Sequence, residues 1–283
     1  MPGIAERLLY RVARRWIAGY SLEDAIKVAH DANNRKLRAI LNRLGEHTPD
    51  EKLIHSYTEE YLKLLDRIRE EKIEGTISVK PSQIGLAASP ALYNSHLHRI
   101  LEMAEGFDEF VWIDMENSPY TEATIRTYLE TLPSYPHMGV CLQANMKRTE
   151  SDLKDLISRE GRVRLVKGAY PENTEVAYKK RSDVDVNYLK LMTMLFEGGD
   201  NFGIGTHDGK LIDKARTLAE DYKRDFEFQL LKGIRDDIKP ILVKEGYRVS
   251  EYIPYGPEWY NYSKRRMRER KRNILLLLRS ITG

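Results

Sequence analysis

The stretch FGIGTHDGKLIDKARTLAEDYKRDFEFQLL, residues 202–231, contains two short apolar runs separated by a longer amphipathic segment. The runs FGIGTH and FEFQLL have the length and composition of strands, and residues 208–222 have the length and pattern of a helix. A strand, a helix and a second strand in this order are typical of a parallel β/α unit.

The same alternation extends over most of the chain. Six more runs are predicted as strands: RAILNRL (38–44), TISVK (76–80), EFVWIDME (109–116), MGVCLQ (138–143), VRLVKG (163–168) and YRVSEYI (247–253). Further helices are predicted over 50–71, 89–104, 121–132, 150–158, 172–196 and 235–245. Eight strands close a parallel barrel, so we predict an α/β fold of the (βα)8 TIM barrel type. An open doubly wound sheet is the alternative, and the lack of a GxGxxG turn after an early strand counts against it.

The first 35 residues are predicted to form helices that precede the barrel. Apolar residues recur about every four positions from Ile4 to Ile17, with arginines on the other face. A second helix is expected after Ser21, because Ser21 and Asp24 resemble a capping box. We therefore divide the chain into a helical segment, residues 1–35, and a barrel, residues 36–283. Packing on the barrel is favoured for the first helix, and a membrane-surface helix is the alternative.

Charge is concentrated near the carboxyl terminus. The net charge is +3, but residues 264–272 alone carry seven basic residues and one acid, so the rest of the chain sums to −3. A general nucleic-acid binder would need a broader basic surface, so this distribution argues against one.

Cysteine usage and hydropathy indicate a cytoplasmic protein. Cys141 is the single cysteine and lies in an apolar run, so we expect a buried thiol in a reducing compartment. No apolar run approaches the roughly 20 residues of a membrane span. Charged residues interrupt the first 17 positions, which therefore lack a signal-peptide core.

Polar or ionisable side chains stand at seven successive predicted strand ends. In a β/α barrel the active site lies at the carboxyl ends of the strands. Any one of these polar residues could stand at a strand end simply because the strand meets solvent there. Their recurrence at seven successive ends favours an active site. The residues are Lys80, Asp114, Glu116, Gln143, Arg164, Lys167, Thr206, His207, Glu227, Gln229, Glu251 and Tyr252.

The segment EYIPYGPEWYNYSKRRMRERKR, residues 251–272, follows the last predicted strand. A helix from Trp259 would place Tyr262, Arg265, Arg266 and Glu269 on one face. Two adjacent arginines beside aromatic rings suit a small organic anion with an apolar body. A solvated basic face is the alternative interpretation.

Seven motifs occur in an order that resembles the proline dehydrogenase family in its single-function bacterial or archaeal form. The resemblance covers about residues 36–273. The motifs are SVKPS (78–82), IDMEN (113–117), LQAN (142–145), VRLVKGAY (163–170), GTHD (205–208), FEFQLLKG (226–233) and YIPYG followed by WYNYSKRRMRER (252–270).

The resemblance implies a distorted (βα)8 barrel that holds FAD non-covalently. It further implies oxidation of L-proline to Δ1-pyrroline-5-carboxylate, with a hydride passing from proline C5 to flavin N5 and electrons passing on to a quinone. No metal and no nucleic acid is expected. Peripheral contact with the inner face of the cell membrane would accompany quinone reduction.

The resemblance also assigns residues to two sites by motif match. The proline site would contain Lys80, Asp114, Tyr170, Leu231, Tyr252, Tyr262, Arg265 and Arg266. The flavin contacts would be Gln143, Arg164, Val166, Lys167, Gly168, Thr206, His207, Gln229 and Glu269. In this scheme the arginine pair and Lys80 clamp the proline carboxylate while the tyrosines and Leu231 enclose its ring.

Four residues depart from the commoner family pattern, and they bear on flavin packing more than on reaction type. They are Asn117, Asn145, Pro171 and Asp208.

Two other functions compete with this assignment. A Schiff-base lyase on the same barrel would use a strand-end lysine, Lys80 or Lys167, with a depressed pKa. A binder of nucleic acid or anionic membrane would use the basic segment 264–272.

Overall fold

The computed structural model describes residues 4–260 and 262–264. Eight parallel strands form a closed barrel in which each strand pairs with the next and the last pairs with the first. This confirms the predicted (βα)8 barrel, and the open sheet is wrong. The strands are β1 (Arg38–Arg43), β2 (Gly75–Val79), β3 (Val111–Ile113), β4 (Met138–Gln143), β5 (Arg162–Val166), β6 (Phe202–Gly205), β7 (Phe226–Leu231) and β8 (Arg248–Tyr255).

Helices precede the barrel and alternate with its strands. The first two are α1 (Ile4–Ala13) and α2 (Leu22–Asn34). The others are α3 (Glu51–Glu70), α4 (Pro90–Gly106), α5 (Ser118–Thr131), α6 (Thr149–Ser158), α7 (Arg181–Gly198), α8 (Gly209–Tyr222) and α9 (Lys239–Lys244).

The helix predicted over 172–196 begins too early. In the structure α7 starts at Arg181, and the residues before it form a loop. The Glu172 carboxylate accepts hydrogen bonds from the backbone N–H and the hydroxyl of Ser118, at 2.8 and 2.6 Å. Met146 and Ala177 also pair as an isolated antiparallel bridge. These long-range contacts hold the loop across the barrel end, and helical periodicity cannot reveal them.

Helix α2 packs directly on the barrel. Ser21 and Asp24 form the expected capping box at its start. Its small apolar side chains belong to the same core as the strands, and Arg35 at its end forms an ion pair with Glu251 of β8 at 2.9 Å. The buried residues of this face are Ala25, Ile26, Ala29 and Ala32.

The residues at and after the end of α1 belong to a second, smaller apolar cluster. Ala13, Trp16 and Ile17 pack there with Leu44, Trp259 and Tyr262. The chain near the amino terminus therefore contacts the segment that follows β8, on the side of the barrel where the strands end. No helix within residues 4–260 and 262–264 is long and apolar enough to span a membrane.

Candidate active site

Asp114 is the centre of a buried hydrogen-bond network at the carboxyl ends of the strands. It follows β3 directly, and one of its carboxylate oxygens accepts from Lys80 Nζ and from the Tyr252 hydroxyl, both at 2.7 Å. The other oxygen accepts from the Ser78 hydroxyl at 2.8 Å and from the Arg164 guanidinium. Residues from β2, β3, β5 and β8 thus meet at a single carboxylate.

The two cations and the carboxylate keep each other ionised. Burial alone would raise the pKa of Asp114, but the charges of Lys80 and Arg164 outweigh it and hold that pKa well below its ordinary value. Burial would lower the pKa of Lys80, and Asp114 reverses this and raises it. A Schiff-base lysine needs the opposite shift, so the environment of Lys80 counts against the lyase alternative.

Arg164 is a fixed cation in the barrel interior. Its side chain is only 4% exposed and donates to the Ser78 hydroxyl at 3.0 Å and to Gln229 Oε1 at 3.3 Å. The guanidinium also lies over the rings of Trp112 and Tyr252, 5.1 and 5.5 Å from their centroids. Burial would lower the pKa of Arg164, but the nearby Asp114 carboxylate outweighs burial and the pKa is raised overall, so the guanidinium stays charged.

A glycine makes room for this arrangement. A Cβ atom at Gly203 of β6, the register partner of Arg164, would lie 2.7 Å from Nε2 of Gln229. A larger residue at this position would have to displace the Gln229 amide, which reaches across β6 to the arginine.

The residues matched to flavin contacts lie along the ends of β4 to β7. Gln143 ends β4 and donates from Nε2 to the Glu116 carbonyl at 2.7 Å. Lys167 follows β5 and forms ion pairs with Asp208, at 2.8 Å, and with Asp185. The structure thus brings most of this group to one side of the barrel end. The remaining members in place there are Arg164, Val166, Gly168, Thr206, His207 and Gln229.

His207 connects the two predicted groups. Its Nε2 accepts a hydrogen bond from the backbone N–H of Leu231, the last residue of β7, at 2.9 Å. Arg235 donates to the His207 carbonyl at 2.9 Å. A residue matched to the flavin therefore holds one matched to proline.

Tyr170 and Tyr262 come from segments outside the strands, and other predicted residues lie outside the part of the chain that the structure describes. Tyr170 lies on the loop after β5, and its hydroxyl is 3.4 Å from Glu46 Oε1. Tyr262 is buried in the second apolar cluster beside Trp259. The remaining assignments, Arg265 and Arg266 for proline and Glu269 for flavin, fall outside the residues that the structure describes.

Sequence reasoning missed Ser78, which binds both Asp114 and Arg164. A signal was present, because Ser78 precedes Lys80 by two positions and alternate strand residues share a face. The role of Asp114 as the shared partner had no such signal. Among residues 4–260 and 262–264, no cluster of three or more His, Cys, Asp or Glu side chains could hold a metal ion.

Comparison with known proteins identifies the family of this chain. The family model described as proline dehydrogenase matches residues 25–274. Proline dehydrogenase 2 of Bacillus subtilis is 34% identical over 286 residues, covering 97% of this chain and 94% of the relative. The proline dehydrogenase of Deinococcus radiodurans is 31% identical over 286 residues, covering 98% and 92%.

A solved structure shows the same fold. Proline utilization A from Bdellovibrio bacteriovorus, inactivated by N-propargylglycine, matches with a TM-score of 0.86 and 23% identity. The match covers 94% of this chain, which spans about a third (33%) of that longer protein. The chain belongs to the proline dehydrogenase family and is an oxidoreductase of proline catabolism.

Proposed function

We propose that this chain oxidises L-proline to Δ1-pyrroline-5-carboxylate with FAD as its cofactor and a quinone as the final acceptor. The observation that carries the proposal is the buried network around Asp114, which holds two permanent cations where the strands end. FAD, when bound, would supply the acceptor for the two electrons and the hydrogen that leave proline C5.

Lys80 is suited to bind the proline carboxylate. Its ammonium has three donors, and the Asp114 carboxylate accepts from one of them at 2.7 Å. Its side chain is 12% exposed, so a small anion can still reach it from the barrel end. Together with Arg265 and Arg266 it would form the carboxylate clamp.

Asp114 orients its neighbours and does not act as a base. A carboxylate with a strongly depressed pKa accepts a proton poorly near neutral pH. It fixes the Tyr252 hydroxyl at 2.7 Å, and the Tyr252 ring would then enclose the proline ring with Tyr170, Leu231 and Tyr262.

The residues on the β4 to β7 side fit a flavin. Asn145, just after β4, has a buried amide oxygen with no hydrogen-bond donor among the described atoms. Flavin nucleotides carry N–H and hydroxyl donors that could satisfy it. Gly168 lies against this amide with φ +100°, where a Cβ atom would be 2.1 Å from Asn145 Oδ1. Arg164 and Lys167 would favour the negative charge of a reduced flavin.

Two features support the remaining parts of the proposal. The buried face of α2 supports a helical segment, residues 1–35, that packs on a barrel of residues 36–283.

The local basic charge of residues 264–272 supports a peripheral contact with anionic membrane, where quinones dissolve. Sedimentation with anionic vesicles at low and high salt tests that contact, and binding unaffected by salt would contradict it.

The proposed reaction is tested by anaerobic mixing of the FAD-loaded protein with each enantiomer of proline. We expect L-proline to bleach the flavin absorbance and D-proline to leave it unchanged, because a carboxylate held by three cations leaves one orientation for C5. Equal bleaching by both enantiomers would contradict the clamp. Covalent trapping by borohydride with substrate, without bleaching, would instead support the lyase.

The carboxylate clamp predicts unequal effects within the basic segment. Arg265→Ala or Arg266→Ala should weaken L-proline binding by at least about 30-fold, because a bound anion is left partly unpaired. Arg268→Ala and Arg272→Ala are the matched controls and should change it by less than about fivefold. Proline titrations of flavin-loaded variants measure this, and equal sensitivity of all four would show a solvated basic face.

A further inference from the structure

Arg43, the last residue of β1, is a buried cation with no role in the proposed reaction. Its side chain is 8% exposed, and Nε donates to Glu60 Oε2 at 2.8 Å. Nη1 donates to Glu258 and to the Leu44 carbonyl. The guanidinium also lies 5.1 Å from the centroid of the Tyr57 ring.

The two carboxylates that bind Arg43 belong to different parts of the fold. Glu60 lies in α3, on the outside of the barrel. Glu258 lies just before helical residues 259–260 and 262–264, which carry Tyr262. The Tyr57 hydroxyl donates to the second oxygen of Glu258 at 3.2 Å, so both oxygens of that carboxylate are held.

The backbone between β8 and Glu258 is shaped around the same guanidinium. Gly256 has φ +127°, and a Cβ atom there would lie 2.1 Å from Arg43 Nη1. The Leu44 N–H also donates to the Tyr255 carbonyl at 2.8 Å. The path of the chain as it leaves β8 is therefore set by contacts with the end of β1.

The residues after Glu258 enter the second apolar cluster. Trp259 is 2% exposed and Tyr262 is 9% exposed, and both pack with Trp16, Ile17 and Leu44. Apolar contacts are not directional, so this cluster determines how deeply the segment is buried but not how it is oriented. The ion pair at Glu258 adds direction, because hydrogen bonds from a guanidinium constrain angle as well as distance.

We infer that Arg43 and Glu258 are positioning residues that set where the segment after β8 begins and so place Tyr262 at the proline site. The inference rests on the proposed function, since it assigns a cause to the position of the substrate-binding side chains.

A matched pair of variants separates this role from a purely structural one. Glu258→Gln and Glu60→Gln each remove one charge next to Arg43 and keep the size of the side chain. The two carboxylates are 40% and 26% exposed, so each variant should lower thermal stability only slightly. Only Glu258 precedes the substrate segment. Glu258→Gln should raise KM for L-proline roughly tenfold with kcat changed less than about threefold, because a displaced Tyr262 would enclose the proline ring less closely and weaken binding in the ground state and the transition state alike. Glu60→Gln should change KM less than about twofold.

A milder variant keeps the test decisive if Glu258→Gln folds poorly. Tyr57→Phe removes only the hydroxyl that donates to Glu258, and it should raise KM in the same direction by a smaller factor. Equal KM changes in Glu258→Gln and Glu60→Gln, or an unchanged KM in Tyr57→Phe, would overturn the inference while the proposed function stands. Failure of L-proline to reduce the flavin of the unmodified protein would overturn both.

Discussion

Replacing Asp114 by alanine is expected to lower the free energy of unfolding by about 3–5 kcal/mol, because it leaves two buried cations without their shared anion. The side chains of Asp114 and Arg164 are 9% and 4% exposed, so water would replace the lost carboxylate only poorly at the arginine. Lys80, Ser78 and Tyr252 also lose their common acceptor.

The same variant should lose most of its activity. Lys80 and Tyr252 would no longer be held in place, and a displacement of about 1 Å at such a site costs roughly 100-fold in rate. Urea unfolding and kcat/KM for L-proline measure the two effects. Asp114→Asn should lie between alanine and the unmodified protein, since it keeps an acceptor oxygen but loses the charge.

Asp185→Ala is a suitable control for Asp114→Ala. Asp185 also binds a lysine, Lys167, but its side chain is 42% exposed. Removing an exposed ion pair should cost less than about 1 kcal/mol. If Asp114→Ala were as stable and as active as Asp185→Ala, the network could not organise the site.

Replacing Arg164 by methionine is expected to lower the reduction potential of the bound flavin by roughly 30–60 mV, which is about 1.4–2.8 kcal/mol for two electrons. A buried cation stabilises the negative charge that reduction adds, so its loss disfavours the reduced form. The variant should also unfold about 3–5 kcal/mol more easily, since Asp114 loses one of two cations.

Arg162→Met is the matched control for Arg164→Met. Arg162 is the first residue of β5, two residues before Arg164 and on the same face, with its guanidinium over Phe110. Its replacement should shift the potential by less than about half as much, because Arg162 lies farther from the carboxyl ends of the strands, where the flavin would bind. Equilibration of the loaded protein with a redox dye gives both potentials. Equal shifts in the two variants would place the flavin elsewhere.

The barrel was predictable because its signals are local. Each strand is a short apolar run, and each helix has an amphipathic pattern. Eight such units in parallel predict a barrel, because closing the sheet pairs its two edge strands with each other. The prediction failed where long-range contacts overrule periodicity. Residues 172–180 have a helical pattern, but Glu172 binds Ser118 and the segment pairs with Met146. β3 is likewise only three residues long, although residues 109–116 were predicted as strand.

Local patterns and motifs were enough to name the residues at or near the carboxyl ends of the strands and the family to which the chain belongs. That Asp114 is the partner these residues share follows from the fold. Its partners Lys80, Arg164 and Tyr252 are 34, 50 and 138 positions away in the chain. Hydrogen bonds act over about 3 Å, so which side chains meet depends on the register and closure of the barrel and not on any local pattern. The anchor of Glu258 at Arg43, 215 positions apart, has the same origin.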